Sequence, residues 1–136
     1  MREVFDPLRQ VWVAATPEEV VRQTWIQRMI GQLKFPRELI AVEKELKALP
    51  HLIEEKSVLP NRRIDLLVYM KTMKPLLLIE CKEAELTQEA LDQAVGYNHY
   101  VKAPFVAIVN QNEIRFYPNE ISRLPSYLEL LEVLHG

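Results

Sequence analysis

Two charged side chains that follow the most apolar stretch of the sequence are the first candidates for chemistry. The apolar run 76–79 comes directly after Pro75 and is too short for a buried helix, so it predicts a strand covered on both faces. Glu80 and Lys82 follow at once, and side chains two apart on a strand point to the same face. Charges at the end of a buried strand are costly unless they are paired or bind something. We therefore expect this end of the strand to be the working end of the protein.

A third charged residue, Asp65, lies inside the apolar segment 62–69, which predicts a second strand. The connector 70–75 has no room for a crossover helix, so the two strands should form an antiparallel hairpin. Such a hairpin places the start of the first strand beside the end of the second, so Asp65 should approach Glu80 and Lys82. Carboxylates are hard oxygen ligands that suit Mg²⁺. A structural ion pair at the end of a sheet is the alternative for these three residues.

Helices are expected on both sides of this hairpin. Thr16 is a candidate N-cap, Pro17 suits the first helical position, and Glu19 completes a capping-box pattern. A second helix is predicted from Gln88 to about Val101. The polar side of the first helix is expected mostly to face solvent, and it consists of Arg22, Gln23, Gln27 and Arg28.

The remaining segments complete an α/β domain with a central mixed sheet flanked by helices. Residues 39–47 fit a strand or a helix, and we prefer a strand because the sheet otherwise lacks one. Segment 51–60 is predicted to be a loop or an edge excursion. Further elements are predicted as strands at 105–109 and 114–117 and a short C-terminal amphipathic helix over 120–136. The predicted organisation is an N-terminal extension (1–15), one domain (16–118) and a C-terminal helical extension packed on it (119–136).

Composition limits the classes of function. The chain of 136 residues is 49% hydrophobic and 26% charged, as is usual for a soluble domain, and no apolar run reaches the length of a membrane span. Cys81 is the only cysteine, which excludes an internal disulfide and predicts a cytoplasmic location, and its side chain is expected in the core. The net charge of −2 weakens a DNA-binding hypothesis without excluding it, because a bound divalent cation changes the local balance.

The order of elements and the spacing of these residues resemble the PD-(D/E)XK nuclease superfamily. More narrowly, they resemble the domain at the N-terminus of type I restriction enzyme R subunits, which also occurs as a small stand-alone protein. Ile64 stands where the motif's name has proline. The matching stretches are 16–23, 63–65, 78–82 and 93–98.

This resemblance implies a restriction-endonuclease-like core (αβββαβ) that hydrolyses DNA with Mg²⁺, or with Mn²⁺ as a substitute. It implies a catalytic set of Asp65, Glu80, Lys82 and Gln93. The implied metal ligands are Asp65, Glu80, the backbone carbonyl of Cys81 and an upstream acid, for which Glu43 is preferred over Glu19. Arg63 and Tyr97 are the implied substrate-binding residues.

The expected partners are DNA and either a second copy of the chain or partner restriction subunits, with no membrane. The sequence has no Gly-x-x-x-x-Gly-Lys-Ser/Thr phosphate loop, so no ATP-driven motor is expected. The alternative is a catalytically silent nuclease-fold module that binds DNA or a protein partner. A small-molecule enzyme has little support, because no glycine-rich loop, catalytic Ser-His arrangement or zinc signature is present.

Overall fold

A computed structural model describes residues 2–136, apart from the side chains of Lys56 and Ser57. Short 3-10 helices occupy Arg37–Leu39, Leu46–Ala48 and Pro50–Val58. The longer elements, in chain order, are β1 (Glu3–Asp6), β2 (Val11–Ala14), α1 (Pro17–Gly31), β3 (Ile40–Glu45), β4 (Arg63–Tyr69), β5 (Pro75–Cys81), α2 (Gln88–Val101), β6 (Phe105–Val109), β7 (Ile114–Tyr117) and α3 (Tyr127–His135).

The central sheet has five strands in the order β3-β4-β5-β6-β7. All neighbours are antiparallel except β5 and β6, which are parallel and are joined through α2, as a parallel connection requires. β1 and β2 form a separate antiparallel hairpin. The result is the predicted mixed α/β arrangement, a five-stranded sheet with flanking helices, and it is consistent with a restriction-endonuclease-like fold.

The middle strands of the sheet form the core, because β4, β5 and β6 are apolar runs covered on both faces. The predicted run 76–79 lies at the centre of the sheet and is fully buried. On one side, Leu91 and Ala94 of α2 pack on Val106 and Ile108. The indole N–H of Trp25 in α1 donates to the carbonyl of Asn110, 2.7 Å away, which fastens α1 to the end of β6.

The predicted hairpin of β4 and β5 is confirmed, with Leu66 opposite Ile79. One step further along the same register, Asp65 comes beside Glu80. The preference for a strand at 39–47 is also confirmed, because β3 pairs with β4 along Ile40–Glu45.

The expectation of a solvated polar side on α1 is wrong for Arg22 and Gln23, which are 5% and 6% exposed. The sequence pattern shows them opposite the apolar stripe, but Asp65 and the β1–β2 hairpin cover this side with polar partners. The capping box is confirmed only in part. Thr16 accepts from the Glu19 N–H at 3.2 Å, whereas the Glu19 carboxylate binds arginine and glutamine side chains.

Two other expectations need correction. The C-terminal helix begins at Tyr127 rather than near 120, where Ser126 caps it. The segment predicted to be a loop after residue 50 forms a 3-10 helix over Pro50–Val58. Within residues 2–136, no helix is long and apolar enough to cross a membrane.

Candidate active site

A cleft of about 350 Å³ opens where β5 ends, between the start of α1 and the start of β4. Its charged lining is nearly balanced, with five acidic and four basic residues. The acidic residues are Glu18, Glu43, Asp65, Glu80 and Glu83, and the basic residues are Arg22, Arg62, Arg63 and Lys82.

Asp65 sits on the floor of the cleft, and both of its oxygens have partners. Oδ1 accepts from Nη2 of Arg22 at 2.6 Å, and Oδ2 accepts from the backbone N–H of Cys81 at 2.9 Å. Burial by itself would raise the pKa of Asp65, but hydrogen bonds from the Glu80 carboxyl, from Arg22 and from Cys81 lower it below the ordinary value. Asp65 is therefore ionised in the folded protein.

Glu80 is the second carboxyl of the pair, and its pKa is shifted in the opposite direction to that of Asp65. Burial raises its pKa well above the ordinary value, and the hydrogen bond to Asp65 and the Asp65 charge raise it further. Its Oε1 atom is buried and has no hydrogen-bond partner among the described residues. Two close carboxyls that differ in this way share a proton, so the pair carries less than its full negative charge until a cation arrives.

Lys82 lines the same cleft as Glu80, as the strand pattern predicts. Its backbone N–H donates to the carbonyl of Val109 at 2.8 Å, which continues the β5–β6 ladder by one residue and fixes where the side chain emerges. The Lys82 charge acts to lower the pKa of Glu80, against the larger effect of burial. Two carboxyl groups with oppositely shifted pKa values and one lysine thus line the same cleft.

Three acidic residues upstream of Asp65 differ in whether they line the cleft and in whether they are already paired. Glu43 lines the cleft, but its Oε2 already accepts from Nη1 of Arg9 at 2.7 Å. Glu19 accepts from Arg22 at 2.6 Å and does not line this cleft. Glu18, which the sequence reasoning missed, does line it, and burial together with the Asp65 charge raises the pKa of Glu18. The available signal was the i, i+4 spacing of Glu18 and Arg22, which places both on one side of α1.

The β1–β2 hairpin supplies a second set of residues that the sequence reasoning missed. Arg9 donates to Asp6, Glu19 and Glu43, at 2.7, 3.0 and 2.7 Å. Asp6 is fully buried, and although burial would raise its pKa, hydrogen bonds from Arg9, Gln23 and backbone N–H groups lower it. The hairpin therefore fixes the positions of Glu19 and Glu43 beside the cleft through Arg9. No spacing in the sequence links Arg9 to residues ten and thirty-four positions away.

Of the two predicted substrate-binding residues, Arg63 lines the cleft, whereas Tyr97 does not line it and contacts Arg62 and Arg63. The Arg63 side chain is 60% exposed, and the Tyr97 hydroxyl donates to its backbone carbonyl at 3.5 Å. The Arg62 guanidinium stacks 3.8 Å above the Tyr97 ring. Burial raises the pKa of Tyr97 to about 12. Tyr97 thus positions one exposed arginine by stacking and contacts the backbone of the next.

Gln93 does not join this group. It is exposed on α2 and does not line the cleft. Its catalytic role stays a prediction from the resemblance.

Whether the cleft suits a divalent cation can be judged from its donors. Among the described residues, no three His, Cys, Asp or Glu side chains form a metal-binding group. Mg²⁺ does not require one, because it commonly binds through one or two carboxylates and keeps several waters. The buried, unpartnered Oε1 of Glu80 beside the ionised Asp65 is a free hard donor, so these residues fit the ion. The Arg22 guanidinium now neutralises Asp65 from the side of α1.

Comparison with known proteins places this chain in a family. A search of curated proteins finds no match. The family model described as "Type I restriction enzyme R protein N terminus (HSDR_N)" matches residues 17–132, which span most of the chain. The matched region includes α1, the whole central sheet and the cleft. The chain belongs to the family of type I restriction enzyme R protein N-terminal domains.

Proposed function

We propose that this domain is a Mg²⁺-dependent deoxyribonuclease of the PD-(D/E)XK type, which hydrolyses phosphodiester bonds in DNA. The observation that carries the proposal is the buried pair of Asp65 and Glu80, with an unpartnered Glu80 oxygen, beside Lys82 on one strand end. Membership of a restriction enzyme family supports DNA as the substrate and restriction subunits as partners.

Asp65 and Glu80 would hold the ion, with the Cys81 carbonyl and Glu18 or Glu43 as further oxygen donors. A bound ion would supply Lewis-acid chemistry, which would polarise the phosphate and lower the pKa of a water molecule. Lys82 holds the attacking water or stabilises the charge that builds on the phosphate. The water oxygen would form a bond to phosphorus and release a proton to solvent, the bond from phosphorus to the sugar oxygen would break, and that oxygen would take up a proton from solvent.

The charge of the cleft supports a role for the cation in substrate binding. Because the raised pKa of Glu80 favours its protonated form, the four other acidic residues balance the four basic ones, and the lining has no net positive charge to attract a phosphodiester. A bound divalent ion would make the lining positive locally. Arg62 and Arg63, which are exposed and line the cleft, would contact backbone phosphates.

The direct test is cleavage of plasmid and linear DNA with Mg²⁺ or Mn²⁺. We expect wild type to cut and Asp65→Asn and Lys82→Ala to lose at least about a hundredfold in rate. Lys47→Ala is the matched control, because Lys47 is exposed, pairs with Glu45 at 3.7 Å and does not line the cleft. Equal cutting by wild type and both site variants, or no cutting with either metal, would refute the proposal.

The second candidate function is a non-cutting module that binds DNA or a protein partner. The observation in its favour is that Arg22 and the Cys81 N–H occupy both oxygens of Asp65, so the site is internally neutralised. Calorimetry with Mg²⁺ separates the two functions. A nuclease binds the ion and loses binding in Asp65→Asn, whereas a module whose ion pair is structural takes up no ion.

A further inference from the structure

A second and larger groove lies at the other end of β5, between the β4–β5 turn and α3. Its volume is about 890 Å³, and it shares no residue with the carboxylate cleft. Most of its lining is apolar. The main apolar residues are Met70, Met73, Pro104, Leu128, Leu131 and Leu134.

The charged residues of this groove all have one sign. Lys71, Lys74 and Lys102 line it, and no acidic residue does. Within the described part of the chain these three lysines form no ion pair. A chain with a net charge of −2 thus presents an apolar groove edged only by unpaired cations. The surface that covers it should be apolar with acidic side chains at its margin.

Helix α3 carries that combination of side chains. Leu128, Leu131 and Leu134 recur every three residues and line the groove, and Leu128 is 65% exposed. Glu132 is exposed and lies four residues after Leu128, so it stands next to Leu128 at the margin of the groove-lining leucines. Helix α3, which forms one wall of the groove, therefore has the apolar row and acidic margin expected of the surface that covers the groove.

We propose that the groove is a self-association surface, covered by α3 of a second copy of this chain. A two-fold arrangement uses the same patch on both partners, so leucines of one copy pack on those of the other. The Glu132 carboxylate of each copy then meets Lys71 and Lys74 of its partner. The groove and the cleft lie at opposite ends of a seven-residue strand, roughly 20 Å apart. Both clefts stay open in such a dimer, and the proposal does not depend on nuclease activity.

Light scattering over a broad concentration range tests the association. Wild type should move from a mass of 16.0 kDa to twice that mass as concentration rises. Leu128→Glu should stay monomeric, because it places a charge in the apolar contact. Val133→Glu is the matched control and should still dimerise, because Val133 is 61% exposed on the same helix but does not line the groove. Circular dichroism checks that both variants are folded.

A charge exchange tests the pairing itself. Lys71→Glu with Lys74→Glu in one chain, or Glu132→Lys in another, should weaken self-association roughly three- to tenfold. Mixing the two variants should restore it, because both contacts regain opposite charges only in the mixed pair. A wild type that stays at 16.0 kDa at every concentration overturns the proposal, whatever else binds the groove. Equal behaviour of Leu128→Glu and Val133→Glu, or no recovery on mixing, overturns it as well.

Discussion

Arg22 stands where it should compete with a divalent ion, so Arg22→Met is expected to bind Mg²⁺ more tightly than wild type. The Arg22 guanidinium lies 2.6 Å from Asp65 and 2.6 Å from Glu19, and it is 5% exposed. Methionine keeps most of the aliphatic stem and removes the charge. This substitution therefore frees an Asp65 oxygen and leaves the acidic cluster with one cation fewer.

The size of the effect follows from the distance. An ion bound to Asp65 at about 2.1 Å would lie roughly 4–5 Å from the guanidinium of Arg22. Repulsion between a unit charge and a divalent ion at about 4 Å costs about 2 kcal/mol in water and about 8 kcal/mol at an effective dielectric constant of 20. The cleft is half open, so removal of Arg22 should tighten Mg²⁺ binding at least about tenfold, or about 1.4 kcal/mol.

Stability should change in the opposite direction. Removal of one partner from a buried ion pair typically costs about 3–5 kcal/mol, out of a total of about 5–15 kcal/mol for a domain. Added Mg²⁺ should recover part of this loss, about 2.7 kcal/mol at a hundredfold excess over Kd. Without the ion, Arg22→Met should unfold at a clearly lower urea concentration than wild type.

The assay is calorimetric titration of Mg²⁺ into each protein without DNA, together with urea unfolding with and without the ion. Arg28→Met is the matched control, because Arg28 is on the same helix, stacks on Trp25 at 4.8 Å and does not line the cleft. Its affinity for Mg²⁺ should differ little from that of wild type. A folded Arg22→Met that binds Mg²⁺ no more tightly than wild type would show that Arg22 and the ion do not share Asp65.

Three further substitutions test other parts of the site. Glu80→Gln should be about 1–3 kcal/mol more stable than wild type at neutral pH. The raised pKa of Glu80 means that its carboxyl ionises more readily in the unfolded chain, so the folded state of wild type loses stability as pH rises. Urea unfolding should show no difference in stability between the two proteins near pH 4. A difference that stays constant at all pH values would contradict the link to the pKa of Glu80. Asp6→Asn should lose about 1–3 kcal/mol at neutral pH and become less sensitive to acid, because the lowered pKa of Asp6 gives stability that wild type loses as pH falls below about 4. Parallel unfolding curves of the two proteins from pH 7 to pH 3 would argue against this role. Lys82→Ala should abolish cleavage while calorimetry still detects Mg²⁺ binding, and loss of both would mean that Lys82 is needed to form the metal site.

The hairpin that carries Asp65, Glu80 and Lys82 could be predicted because its signals are local. A short apolar run, a short connector and alternation of side chains fix two antiparallel strands and the end at which the charges meet. The same local signals predicted the N-cap of α1 and the order of helices and strands along the chain. The resemblance to restriction enzyme domains rested on these residues, and the family match agrees with it.

Only the tertiary structure decided what surrounds Asp65. Arg22 and Gln23 look like solvated residues in sequence, yet Arg22 meets Asp65 of β4 and Gln23 meets Asp6 of β1, and these buried acids compensate the cost of burying them. Arg9 reaches Glu19 and Glu43 because the β1–β2 hairpin folds over α1, and such a contact leaves no periodic trace in the chain. The sequence by itself determined which strand end carries the reactive groups, through alternation along one backbone. The balance of charge around those groups depends on contacts between distant segments, which only the packed structure shows.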